Sequence, residues 1–66
     1  MGMRNQQKLF SEFLRLVGTE VVVGVISSGE KLGGKIVNAM FDSFILDAPS
    51  GRHVIAYRDV KFLDEV

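Results

Sequence analysis

Val21, Val23 and Val25 recur at every second position, and after a short polar interruption Leu32, Gly34 and Ile36 resume the same period. A two-residue period is that of a strand with one face turned toward a core. A strand over residues 20–27, a turn and a second strand over 31–40 therefore follow one another as a hairpin. Ser28-Gly29 supplies the turn, because glycine takes positive φ without a Cβ clash. Gly24 falls on the outer face. Gly33-Gly34 leaves bare backbone in the long second strand, where it can bend sharply and curl a small sheet toward a barrel.

Ahead of the hairpin the period changes. Leu9, Phe10, Phe13, Leu14, Leu16 and Val17 contain the i, i+3, i+4, i+7 spacing of an amphipathic helix, predicted over about 5–18, with Asn5 as its N-cap and Gly18 as its stop. Residues 1–4 read as a frayed start. The helix stripe either lies over the open end of the barrel or docks on a partner or membrane. Downstream, Met40-Phe41-Asp42-Ser43 is a connection and Phe44-Ile45-Leu46 a short apolar strand. Ala48-Pro49-Ser50-Gly51 carries proline and glycine at the second and fourth positions of a type I turn. A fourth strand over 53–57 is followed by the very short link Arg58-Asp59. A fifth strand over 60–66 alternates Val60 and Phe62 with Lys61 and Leu63, which makes Phe62 a core aromatic.

Sixty-six residues without repeats or low-complexity stretches make a single domain, 1–66. A chain this short buries only ~60% of the surface that its unfolded form exposes. It has no cysteine for disulfides, and one histidine, His53, does not assemble a zinc site, so the staple left to it is oligomerisation. Without cysteine, signal peptide or a long apolar run, the expectation is a soluble cytoplasmic protein with no membrane partner. Eight basic residues balance eight acidic ones. That balance excludes nucleic-acid binding by bulk electrostatics and leaves only local binding. Residues 1–18 carry Arg4, Lys8 and Arg15 against Glu12, and the remainder is net acidic by two.

A helix, then five short strands with the second long and glycine-bent, resembles the Sm-like family, most of all its bacterial Hfq type. The residues that carry the resemblance are Val21 to Ile26, Ser28-Gly29, Lys31-Leu32, Gly34-Lys35-Ile36, Phe41-Asp42, Phe44-Ile45-Leu46 and Val54 to Val60. Other small SH3-like barrels reach a strand, glycine turn, strand, glycine pattern by convergence. The resemblance implies a mainly β fold, an N-terminal helix and a five-stranded, strongly bent antiparallel SH3-like (Sm-like) barrel. It also implies a homo-oligomeric ring of five to seven subunits in which the fourth strand of one subunit pairs with the fifth of the next. That seam would contain His53, Val54, Ile55, Ala56, Tyr57, Val60, Lys61, Phe62 and Leu63. Two edge strands would otherwise offer unpaired backbone groups, and ring closure consumes both.

What the resemblance implies about function is binding of single-stranded, uridine-rich RNA around the pore. The bacterial type uses an aromatic in the loop between strands two and three and a Tyr-Lys-His run between strands four and five. Here Phe41, Asp42 and Ser43 match the first element, and Tyr57-Arg58-Asp59 stands in place of the second. Arg58 takes the place of either the lysine or the histidine, and Asp59 either repels an RNA backbone or pairs with Arg58. Phe41 is a base platform or an interface aromatic, and Tyr57 a site residue or a seam residue. On the opposite face, where the bacterial type reads adenine-rich RNA, Val25 and Gly33 replace a tyrosine and a glutamine, and only Lys31 is kept. The helix rim keeps Arg15. Nothing calls for a metal or cofactor, and no nucleophile–base pair, phosphate-cradling glycine loop or paired carboxylates suggest an enzyme. Two functions follow: a ring that binds RNA as a chaperone or processing factor, and an Sm-like ring that is a structural or protein-interaction module.

Overall fold

The structure, a computed structural model, describes residues 10–66. Asn5, Leu9 and the start of the predicted helix lie outside them. Within them, helix α1 covers 10–15 and a turn over 16–18 ends at Gly18, whose φ of 94° is one that side chains rarely adopt. Five strands follow: β1 (Glu20–Val25), β2 (Lys31–Ala39), β3 (Ser43–Ala48), β4 (Gly51–Ala56) and β5 (Val60–Glu65). A 3-10 turn, Tyr57–Asp59, joins the last two. All pairs are antiparallel, and the order across the sheet is β4-β3-β2-β1-β5. The two outermost strands are therefore the two named in the sequence as the edges.

Every predicted strand is present, with ends shifted by a few residues. β1 stops at Val25 because Val25 and Glu30 close the hairpin by a backbone bond of 2.9 Å, leaving 26–30 as its turn with Gly29 at φ 72°. β3 extends at both ends, to Ser43 and Ala48, because Ser43 pairs with Ala56 and Ala48 pairs with Gly51 across the two-residue loop Pro49-Ser50.

The bend in β2 is what turns this sheet on itself. The first half of β2 pairs with β1, from Gly24↔Lys31 to Glu20↔Lys35, and the second half pairs with β3, from Lys35↔Asp47 to Ala39↔Phe44. At Gly34 the neighbouring strand comes so close that a Cβ would lie 2.4 Å from the Asp47 carbonyl oxygen and 3.0 Å from the Ala48 Cα. Only glycine fits beside that backbone. A bulge at Val37, between Ile36 and Asn38, adds twist further along and lets both Ile36 and Ala39 face inward.

The concave side holds Val21, Val23, Ile36, Phe44 and Leu46, all fully buried, with Val25, Ala39 and Ile55 around them. Helix α1 covers this core as one of the two sequence readings expects. Phe13 is buried, its ring 4.6 Å from that of Phe44 and 4.7 Å from that of Tyr57.

Phe62 departs from the expectation of a core aromatic. A register shift between Gly24 and Val25 pairs Val25 with Val60 and Gly24 with Phe62, so Lys61 is an extra residue in β5. The strict alternation breaks there, and Val60 and Leu63 are the residues that pack on the core. Phe62 lies half-buried on the outer face with its ring over Gly24, where a Cβ would come within 2.3 Å of it.

Phe44→Ala is expected to cost the ~3–5 kcal/mol of a core aromatic truncation, and Phe62→Ala about 1–2 kcal/mol, since its ring is half in water. Thermal melts of the two variants check this, and equal losses would place Phe62 in the core after all. Gly34→Ala is expected to cost at least the ~1–3 kcal/mol of overpacking, because the atoms it meets are backbone and do not move aside.

Candidate nucleic-acid interface

The β2–β3 loop and the 3-10 turn are joined by backbone. The loop is tight, with the Met40 N–H donating to the Ser43 carbonyl at 2.7 Å, and Ser43 starts β3 opposite Ala56 at the end of β4. One residue on, the Tyr57 N–H donates to the Asp42 carbonyl at 3.1 Å. The Tyr57 hydroxyl donates to the Met40 carbonyl, so one side chain and one amide clamp the loop from two sides. The Ser43 hydroxyl donates to Asp42 Oδ1 at 3.3 Å. In this way Phe41, Asp42, Ser43, Tyr57 and Arg58, far apart in sequence, come together at one end of the sheet.

Their accessibility differs. Phe41 is 58% exposed, with its ring 6.4 Å from that of Phe10 on α1. Arg58 is exposed. Tyr57 is only 6% exposed and packs against Phe13 and against Phe44, whose ring is 5.9 Å away and near parallel. Tyr57 is therefore neither an open base platform nor an edge-strand residue, because the chain leaves β4 at Ala56 and turns its next side chain into the core. It forms the floor of the site. Its phenol is pushed above the usual value of 10, first by burial and then by the nearby negative Asp42. It stays a hydrogen-bond donor at neutral pH.

Asp59 is held by a residue that the sequence does not suggest. Its carboxylate accepts from Ser27, at 3.0 Å from the backbone N–H and 2.7 Å from the hydroxyl. Ser27 is the residue the sequence reading misses. No periodicity or motif joins positions 32 apart, and only the folded sheet brings the β1–β2 turn beside the 3-10 turn.

The opposite face carries a different set. Lys31, Gly24 and Phe62 form a row across β2, β1 and β5. They line a shallow concavity with Ile26, Gly29 and Lys61. Val25 is buried in the core and Gly33 has no side chain, so neither position presents an aromatic or an amide to this face.

On the strands expected at the seam, the edge of β4 shows an exposed Val54 and a half-buried His53, whose Nε2 lies 2.9 Å from the Ser50 hydroxyl. Ile55 and Tyr57 point into the core, Ala56 is half-buried, and on β5 Val60 and Leu63 pack against the core while Lys61 is exposed.

No family model matches the chain, and no curated protein matches it by sequence. Its structure is similar to a crystal structure of the pleiotropic translational regulator Hfq, with a TM-score of 0.67 over 89% of this chain and 95% of that one, at 22% identity. The fold is Sm-like. The helix and the bent five-stranded sheet are the parts of the chain that carry this likeness.

Burial of the Tyr57 phenol makes stability depend on pH in one direction. Below pH 10 folded and unfolded chains both hold the proton. Above it the unfolded chain loses its proton first, so stability falls as pH rises from 10 toward the higher native value. Thermal melts from pH 8 to 11 are expected to show this decline in the parent and a shallower one in Tyr57→Phe. That variant should also lose about 1 kcal/mol at pH 8 with the Met40 bond. Parallel declines in both proteins would assign the effect to other groups.

Proposed function

We propose that the chain acts as one Sm-like domain, closes into a homo-oligomeric ring of five to seven subunits through the β4 and β5 edges, and binds single-stranded, uridine-rich RNA at its pore face in the cytoplasm. The observation that carries this reading is an exposed Phe41 on the β2–β3 loop and an exposed Arg58 on the 3-10 turn, two segments that Tyr57 ties together. An aromatic platform contributes ~1–3 kcal/mol per stacked base, and a guanidinium supplies the phosphate contact. Ser43 and the Asp42 carboxylate add hydrogen-bonding groups beside the ring, which suit a base edge. These groups offer a stacking face, a cation and hydrogen-bonding partners, so the reading is of a binding protein. A role as an RNA chaperone or processing factor accords with the similarity to a translational regulator.

The ring rests on the strand order. β4 and β5 lie at opposite margins of one bent sheet. Antiparallel pairing of one chain's β4 with the next chain's β5 satisfies both edges and repeats until it closes.

Fluorescence polarisation with labelled oligo-U, oligo-A and a mixed strand at two salt concentrations, on protein whose assembled mass is known from light scattering, tests the reading. Oligo-U is expected to bind at micromolar concentrations or tighter and to weaken with salt. Phe41→Ala should weaken binding at least tenfold, and Arg58→Ala should abolish it while the assembly keeps its mass. An intact ring that binds no strand would identify a structural or protein-interaction module, and a ring that dissociates on Arg58→Ala would place Arg58 at the seam.

A further inference from the structure

Arg58 is bracketed. The residue before it is tied to the β2–β3 loop through Met40 and Asp42, and the residue after it is tied to the β1–β2 turn. The second tie consists of three bonds: the Ile26 N–H to the Asp59 carbonyl at 2.8 Å, the Ser27 N–H to Oδ1 at 3.0 Å, and the Ser27 hydroxyl to Oδ2 at 2.7 Å. Both carboxylate oxygens thus have a donor, and both donors come from one residue across the sheet. A carboxylate next to a cation in a site for a polyanion is an odd choice if it faces the ligand. It is a sensible one if its charge is used as an acceptor elsewhere.

We propose that Asp59 is a positioning residue. Its carboxylate anchors the 3-10 turn to Ser27, and that anchorage holds Arg58 in place for a ligand phosphate. This rests on the reading of the pore face as an RNA site, and it assigns to Asp59 and Ser27 a part in that site although neither touches the ligand. The two possibilities for Asp59 have opposite signs. A carboxylate that merely repels phosphate through water is worth roughly a two- to threefold penalty, so removing it would tighten binding by that factor. A carboxylate that anchors Arg58 works the other way, and its removal weakens binding.

Two measurements test this, on variants held well below their melting transitions. In the first, oligo-U affinity of Asp59→Ala is expected to fall about fivefold or more, the scale of a lost charged hydrogen bond. The slope of log K against log salt should shrink by about 0.7, one phosphate contact on a single strand, a change that mere loss of stability does not produce. Ser27→Ala, which leaves the charge in place, should weaken binding in the same direction, and Ser27→Thr should restore it. Tighter binding by Asp59→Ala, or an unchanged slope, overturns the proposal. The second needs no RNA: the rate of tryptic cleavage after Arg58 is expected to rise about fivefold in Ser27→Ala, whose cleavage site is unaltered, and to return near the parent's in Ser27→Thr. An unchanged rate in Ser27→Ala also overturns it. If the parent binds no oligo-U, the pore-face reading fails on its own, and the cleavage rates still decide whether Asp59 and Ser27 hold the turn.

Discussion

The Tyr57 hydroxyl donates to the Met40 carbonyl from inside an aromatic cluster, and the arrangement of the candidate interface depends on that bond. A buried phenol needs a partner, since leaving it without one costs about 1–3 kcal/mol. The Met40 carbonyl sits in a loop that has no ladder of its own. Each group satisfies the other, and the loop is thereby fixed to the 3-10 turn. Phe13 and Phe44 hold the phenol ring on its other sides, so the helix and β3 are parts of the same clamp. Phe41 and Arg58 reach the surface on two segments that this bond ties together, because the residues next to them in the chain are buried or bonded.

The same economy governs the sheet. With 66 residues there is too little chain for two layers, so one sheet has to supply both walls of its own core. β2 does this by pairing with β1 over its first half and with β3 over its second. Gly34 permits the close approach at the bend. The bulges at Val37 and Lys61 then reset which residues face inward, and the cost of bending falls on β4 and β5, which end as open margins.

Much of this was legible in the residues, and the reason is locality. The valine alternation, the glycine of the first turn and the Gly34 bend are short-range signals, and each strand that they predict is present. The bent five-stranded architecture and its two edges followed from a family resemblance, and the structural similarity to Hfq bears out the fold. Phe62 was misplaced because one extra residue in a strand exchanges its faces, and a bulge leaves no mark in composition or period. Tyr57 reads in the sequence as a site or seam residue because Ala56-Tyr57 looks like continuing strand, whereas the chain turns there and buries the ring within the subunit. The Asp59–Ser27 tie was invisible because it depends on two turns meeting in space. The sequence names the loop aromatic and the arginine, and the structure ties the loop that carries one to the turn that carries the other. What holds them there was not found.

A single copy of the proposed site would bind poorly. One stacked base at ~1–3 kcal/mol and one charged phosphate contact at ~1.5–3 kcal/mol reach only the neighbourhood of the ~4 kcal/mol that a millimolar complex requires. Repetition changes the arithmetic, because successive nucleotides of one strand meet successive copies at a high effective concentration, and affinity multiplies without any new contact. A protein with no net charge thus needs no basic surface to hold RNA, provided that its subunits are joined in a ring. In the proposed ring, the open margins of β4 and β5 and the sparse site at the end of the sheet would be two sides of one requirement: edges that are costly to leave unpaired would be the means by which a weak site becomes a useful one.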